Sequence, residues 1–217
     1  MVVHRGTSRC RWALLAAVVF APIPAQAQWV VGAEAGPTYT TWVGSFVEAS
    51  GIWGAHLAAT VEVRVVGAWT VAAAGSWQQK GASRVRMAGA SSAYDFKTAH
   101  ATLPLTVGRE IPLSAGWLLI PYAGLAVSVT LECRAKESGV FHFDEDCAVA
   151  NAKTPDVQLD LPVGLRVARR YTGGARFVVT LRHEFGLTQV LPTLTPTGEA
   201  ARSGAWALAT GFSIPLF

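Results

Sequence analysis

Hydrophobic and polar residues alternate with a period of two along most of the chain. Between residues 55 and 66, the odd positions are all aliphatic, while the even positions include a histidine, a threonine, a glutamate and an arginine. Successive side chains of a strand point to opposite faces, and a helix would not separate these two sets so cleanly. The pattern recurs along the chain and predicts eight strands, at residues 29–42, 55–66, 69–80, 94–108, 117–134, 155–168, 175–188 and 202–217.

The predicted connections are alternately long and short. The segments 66–68, 109–116 and 169–174 are short, whereas 43–54, 81–93, 135–154 and 189–201 are long. Short periplasmic turns and long outer loops are typical of bacterial outer-membrane barrels. The pattern therefore predicts an all-β fold, an eight-stranded antiparallel up-and-down transmembrane β-barrel formed by residues 28–217.

Alternation by itself does not say which face meets lipid. Trp29, Trp69 and Trp117 begin the first, third and fifth strands, all at one rim, as an interfacial aromatic girdle requires. The chain is 51% hydrophobic, yet beyond residue 27 it lacks the run of about 18 apolar residues that a helical span needs. The alternative is a soluble lipocalin-like periplasmic barrel that binds an apolar ligand and keeps its aliphatic side chains inside.

Residues 1–27 have the pattern of a signal peptide. Three arginines precede an apolar core at residues 12–21, and Ala25-Gln26-Ala27 forms a small-x-small cleavage site. The chain carries 18 Lys and Arg against 14 Asp and Glu. Removing this segment, with its three arginines and no acid, leaves 15 basic against 14 acidic residues. We therefore predict export to the Gram-negative outer membrane and no nucleic-acid partner.

Two cysteines remain after the predicted cleavage, since Cys10 leaves with the signal peptide. Cys133 and Cys147 flank a polar loop in an oxidising compartment, so we predict a disulfide between them. A metal site is not expected, because His142 alone does not complete a tetrahedral ligand set.

The last predicted strand contains one charge, Arg202, and ends on Phe217. It resembles the C-terminal strand of outer-membrane barrels, and this resemblance implies that the barrel-insertion machinery recognises Phe217. Pro215 near the end predicts a bulge there. The outward set is then either Trp206, Leu208, Phe212 and Ile214 or the face that carries Phe217.

Five segments together resemble the PorT-like outer-membrane β-barrel family. They are VVGAEAGPTYT (30–40), WQQKGA (77–82), LPLTVG (103–108), PYAGLAVSVTL (121–131) and LRHEFGLTQV (181–190). The resemblance implies an outer-membrane barrel and specifies no activity.

In a membrane barrel, the polar face of the strands is the lumen. An eight-stranded barrel has room only for side chains, so its interior charges are expected to pair in a filled lumen and not to line an aqueous channel. The predicted lumen charges are Glu34, Glu62, Arg64, Lys80, Glu132, Arg134, Asp156, Asp160, Arg166, Arg182 and Glu184.

A lipid-modifying outer-membrane enzyme is the alternative function. Catalysis of this kind needs a nucleophile, a base within reach and an orienting acid. His183 is the best candidate base, but Phe185 occupies the position where deacylase barrels carry serine, and Glu184 points to the opposite face. His56 and His100 have no serine or acid at a suitable spacing, so we expect no catalytic, cofactor-binding or metal-ligating set.

The predicted role is structural or surface-binding. Outer-membrane lipid is the expected partner, and Arg84 and Arg86 could meet lipopolysaccharide phosphates unless they belong simply to a solvated loop. A surface partner of unknown kind is left open.

Overall fold

The computed structural model describes residues 28–44, 48–86, 93–138, 145–147, 155–190 and 201–216. The predicted signal peptide and Phe217 lie outside these residues. No helix in the described part of the chain is long and apolar enough to cross a bilayer. The eight long strands are β1 Trp29–Val43, β2 Ile52–Val66, β3 Trp69–Arg86, β4 Ala93–Arg109, β5 Trp117–Ser138, β6 Val157–Arg170, β7 Arg176–Gln189 and β8 Arg202–Pro215.

The sheet closes on itself. Each long strand pairs antiparallel with the next along the chain, and β8 pairs with β1. Three short strands, Glu48–Ser50, Ile111–Pro112 and Glu145–Asp146, extend its two ends. The predicted eight-stranded antiparallel barrel is therefore confirmed.

The strand registers are staggered around the barrel. Stepping from Trp29 through successive cross-strand partners leads back to β1 at Tyr39, ten residues beyond the start. The steps pass through Val63, Val71, Val107, Ala123, Val163, His183 and Trp206. A stagger of this kind tilts the strands, and eight tilted strands enclose a space that side chains fill.

Aliphatic side chains face outward and charged ones face inward. Leu105 and Leu125 are 47% and 59% exposed, whereas Lys80 and Asp160 are 3% and 1% exposed. A soluble lipocalin-like barrel requires the reverse arrangement, so that alternative is wrong. The outer face is suited to lipid, as in transmembrane barrels.

The observed strand ends differ from the predicted bounds most in β3. Residues 81–86, predicted as loop, continue β3, and their ladder with β4 contains an irregularity between Ala82 and Val85. The predicted bulge near Pro215 is absent from the β1–β8 ladder, which keeps one register from Val30–Pro215 to Val43–Arg202. The outward set of β8 is consequently Trp206, Leu208, Phe212 and Ile214.

Buried apolar clusters lie toward both ends of the interior. At the short-turn end the cluster consists of Leu118, Ile120, Ala168 and Val178. At the end that carries the long connections it consists of Trp42, Ala82, Val85, Phe96, Ala135, Cys147, Val190 and Ala201. The predicted disulfide joins Cys147 of this outer cluster to Cys133 of β5, with a Cα–Cα distance of 5.6 Å.

Candidate functional site: the charged interior of the barrel

Two carboxylates and four arginines pair at the short-turn end of the interior. Glu110 accepts a hydrogen bond of 2.8 Å from Arg176, and it also pairs with Arg64 and with Arg170. Glu62 accepts hydrogen bonds from Arg166 at 2.9 Å and from Arg176 at 3.4 Å. Arg176 therefore bridges the two carboxylates, and the four guanidinium groups outnumber the carboxylates by two.

Glu34 lies at the middle level of the interior. Its Oε2 accepts a hydrogen bond of 3.0 Å from Thr180, and its Oε1 lies 3.5 Å from Nε2 of His56 and 3.9 Å from Arg182. All four side chains are buried. Because buried charge is costly unless paired, these contacts are what permits a carboxylate at this depth.

Lys80 forms the centre of the upper part of the network. Its Nζ lies 2.8 Å from Oδ2 of Asp160 and 3.0 Å from Oε2 of Glu184. Asp160 also accepts a hydrogen bond of 3.0 Å from Ser128, and Glu184 lies 3.0 Å from Nε of Arg182. The upper and middle groups are thus continuous through Arg182.

A polar row crosses three neighbouring strands beside this network. His56, Gln78 and His100 are cross-strand partners and all three are buried. His100 is hydrogen-bonded to Thr98 at 2.7 Å, and both side-chain amide atoms of Gln78 lack a hydrogen-bond partner. Two cavities of about 20 Å³ each adjoin Glu34, and each has room for about one water molecule.

Three of the predicted lumen charges lie elsewhere. Residue Leu131 is the extra residue of a β-bulge, because Ala99 pairs with Glu132 while the next residue, His100, pairs with Thr130. A bulge shifts the alternation by one residue. Glu132 and Arg134 therefore face outward, with 53% and 58% of their side chains exposed, and pair with each other at 2.5 Å.

Asp156 is the third predicted lumen charge that lies outside the interior. It is exposed and precedes β6, which begins at Val157. The other predicted lumen charges, from Glu34 to Glu184, lie in the interior as described above, with Arg64 at its lower edge.

Several members of the network were not predicted. Arg176 shares the face of Arg182 and Glu184 on β7, so its position in the alternation was an available signal. Glu110 and Arg170 had no such signal, because both fall in segments that the sequence predicts as turns. Glu110 reaches the interior because Glu110 N donates a hydrogen bond to Ala68 O, which fixes the turn against the barrel end.

The three histidines in the described part of the chain contact groups other than serine. His183 is on the outer wall, where its ring stacks on Trp206 at 4.4 Å and its Nδ1 donates to Ala205 O at 3.2 Å. His56 contacts Glu34, and His100 contacts Thr98. None of these three histidines bonds both a serine and a carboxylate.

Aromatic residues lie at both ends of the outer wall. Trp29, Trp69 and Trp117 stand at the short-turn rim, and Arg109 and Arg169 lie over the rings of Trp69 and Trp117 at 5.8 and 5.6 Å. A second row, which was not predicted, crosses three adjacent strands nearer the outer end and consists of Trp206, Tyr39 and Trp53. Two aromatic levels bounding an aliphatic belt are characteristic of transmembrane barrels.

A closed eight-stranded barrel with an aliphatic outer wall and a paired ionic interior belongs to the class of outer-membrane β-barrels. The autotransporter beta-domain family matches residues 19–214. The chain belongs to this family. No curated protein matches the chain significantly.

Solved structures with a similar fold include outer-membrane proteins. A major outer membrane protein from Thermus thermophilus has a TM-score of 0.54 and 15% sequence identity, covering 88% of this chain and 100% of its own. OprG from Pseudomonas aeruginosa has a TM-score of 0.46 and 14% identity, covering 86% and 95%. Neisserial surface protein A has a TM-score of 0.43 and 16% identity, covering 87% and 97%. At these identities, the first of the three supports the fold and nothing finer.

Proposed function

We propose that this protein is an outer-membrane barrel with a structural or surface-binding role, a filled lumen and no catalytic activity. The observation that carries the proposal is the pairing of acidic with basic side chains inside the barrel. Each of its described buried carboxylates lies within 4 Å of a basic side chain, and these pairs link opposite walls. Such an interior stabilises the barrel and occupies the space that a channel would need.

Fractionation and electrophoresis test the membrane role. The protein is expected in the outer-membrane fraction and should migrate faster unboiled than boiled, because a closed barrel resists unfolding in detergent. Recovery from soluble periplasm without a heat-dependent shift would contradict the proposal.

Conductance tests the filled lumen. The purified barrel in a planar bilayer is expected to give no steady ionic current at moderate voltage. A variant in which Lys80, Asp160 and Glu184 are all alanine removes the upper pairs and should conduct more than the wild type. A steady current through the wild type would show that the lumen is an open path.

The proposed absence of catalysis is supported by the position of His183, which is on the outer wall and contacts Trp206 and Ala205 O, with no nucleophile among its contacts in the described part of the chain. Lipid A from cells that overproduce the protein is expected to have the same mass as lipid A from control cells. Loss or gain of an acyl chain, abolished by His183→Ala or His100→Ala, would favour the lipid-modifying alternative.

The remaining parts of the proposal concern export and kinship. We propose cleavage after Ala27, which N-terminal sequencing of the mature protein tests. Recognition of Phe217 by the insertion machinery predicts slower assembly when that residue is deleted. The five segments quoted above support a narrower PorT-like kinship within the barrel class, which sequences of further relatives would test.

A further inference from the structure

Two basic side chains face each other on the outer wall at the outer end of the barrel. Lys97 of β4 and Arg134 of β5 are direct cross-strand partners, and both are exposed. Like charges in this arrangement destabilise a sheet. Arg134 pairs with Glu132, whereas Lys97 forms no ion pair within the described part of the chain. The wall therefore carries excess positive charge at this point.

A groove of about 290 Å³ adjoins this basic pair, and Trp53 and Gln79 line its other side. Gly81 of β3 is the cross-strand partner of Lys97. A Cβ on Gly81 would lie 2.1 Å from Phe96 O, so no larger residue fits there.

The β2–β3 ladder also ends below the groove, at the His56–Gln78 pair. Beyond that point, two carbonyl groups of β3 accept hydrogen bonds from threonine side chains of β1. Thr38 donates to Gln79 O at 3.1 Å, and Thr40 donates to Gly81 O at 2.9 Å. These bonds fix β3 to β1 where it no longer pairs with β2.

The surface below the groove is apolar. Trp77, Ala101 and Val129 are successive cross-strand partners on the outer wall, and Ala101 has the smallest side chain of the three. The groove itself lies beside Trp53 of the outer aromatic row, at the strand ends that carry the long connections. A lipid with an anionic headgroup above an acyl chain would contact both the basic groove and the apolar surface below it. A free anion would contact only the groove.

We propose that this groove binds a phosphate of lipid A, the phosphorylated glycolipid of the outer leaflet, through Lys97 and Arg134. The proposal rests on the outer-membrane role proposed above and names its lipid partner. Ammonium and guanidinium groups donate charge-assisted hydrogen bonds to phosphate, and Gln79 adds a neutral donor. Bound phosphate would also relieve the repulsion between the two cations.

Native mass spectrometry in detergent tests the site, using protein refolded without lipopolysaccharide and titrated with bisphosphorylated lipid A. The double variant Lys97→Gln/Arg134→Gln is expected to raise the apparent Kd about tenfold or more. Arg202→Gln is the matched control, since Arg202 is an exposed cation at the outer end of β8 away from the groove, and it should change the Kd less than about twofold. The proposal would be overturned if the double variant and Arg202→Gln changed the Kd equally, or if neither changed it.

Glu132→Gln is a second test variant, and it preserves the shape of the side chain. It removes the carboxylate that neutralises Arg134 and should tighten lipid A binding, so unchanged or weaker binding would count against the site. Dephosphorylated lipid A should bind the wild type as weakly as lipid A binds the double variant. Competition by inorganic phosphate at equal concentration would assign the groove to free phosphate and reject the lipid.

Heat-dependent mobility separates the two proposals. If every variant keeps the shift of a folded barrel and none differs in lipid A binding, the groove assignment fails while the membrane role stands. If the wild type shows no shift, the membrane role itself fails.

Discussion

Nζ of Lys80 on β3 donates a 2.8 Å hydrogen bond to Oδ2 of Asp160 on β6, across the interior of the barrel. The two strands are far apart around the sheet, so the pair connects opposite walls. Glu184 on β7 lies 3.0 Å from the same ammonium group. One buried cation therefore holds two carboxylates on adjacent strands.

Replacing Lys80 tests the energy of this pairing. Lys80→Met is expected to lower the free energy of unfolding by about 3–5 kcal/mol, because it leaves the buried Asp160 without its cation and Glu184 with Arg182 alone. Urea unfolding in lipid-free detergent, followed by tryptophan fluorescence, measures it. Lys97→Met, an exposed lysine on the next strand, should change stability by no more than about 0.5 kcal/mol.

A compensating change distinguishes lost pairing from lost packing. Lys80→Met/Asp160→Leu removes one acid with the cation and leaves Glu184 with Arg182. Replacing a buried pair by apolar residues is often nearly neutral, so the double variant should recover most of the lost stability. Additive losses would show that the ion pair is not the source of the effect.

The Cys133–Cys147 disulfide is expected to stabilise the outer end. Its sequence separation is 14 residues, and a loop of this length contributes ~2–3 kcal/mol by restricting the unfolded chain. Reductant should lower the unfolding midpoint of the wild type and leave that of Cys133→Ala/Cys147→Ala unchanged. An identical response of both proteins to reductant would refute the assignment.

A charge on the outer wall tests which face meets lipid. Leu125→Arg, in the aliphatic belt, should destabilise the barrel in phospholipid vesicles by roughly 2–4 kcal/mol, whereas the same change near the interface costs roughly 0–1 kcal/mol. Ile111→Arg at the short-turn end is the matched control, since Ile111 is also exposed. Equal costs at both positions would argue against a membrane-embedded belt.

Gly164 gives an internal test of packing. A Cβ there would lie 2.5 Å from the ring of Tyr122, which covers this glycine inside the barrel. Gly164→Ala should cost ~1–3 kcal/mol through overpacking. Gly75→Ala is the control, because nothing lies within 4 Å of its added Cβ, and the change should be neutral or stabilising by urea unfolding.

The period-two alternation by itself determined the strand count, the antiparallel order and the face of most side chains. These are local properties, since one residue's parity fixes its face for as long as the strand is regular. Asp160, Arg182 and Glu184 were placed in the interior for that reason. The rim tryptophans and the paired cysteines followed from equally local patterns.

The tertiary structure decided everything that depends on a break in parity or on a distant partner. The bulge at Leu131 moved Glu132 and Arg134 to the outer wall. The sequence of β5 alone does not show this bulge, because a bulge is defined by how a strand pairs with its neighbour. Glu110 joined the network from a turn, and Lys80 found Asp160 only once the sheet had closed. Pairing across a closed barrel depends on register and stagger around the whole sheet, which no single segment of sequence contains.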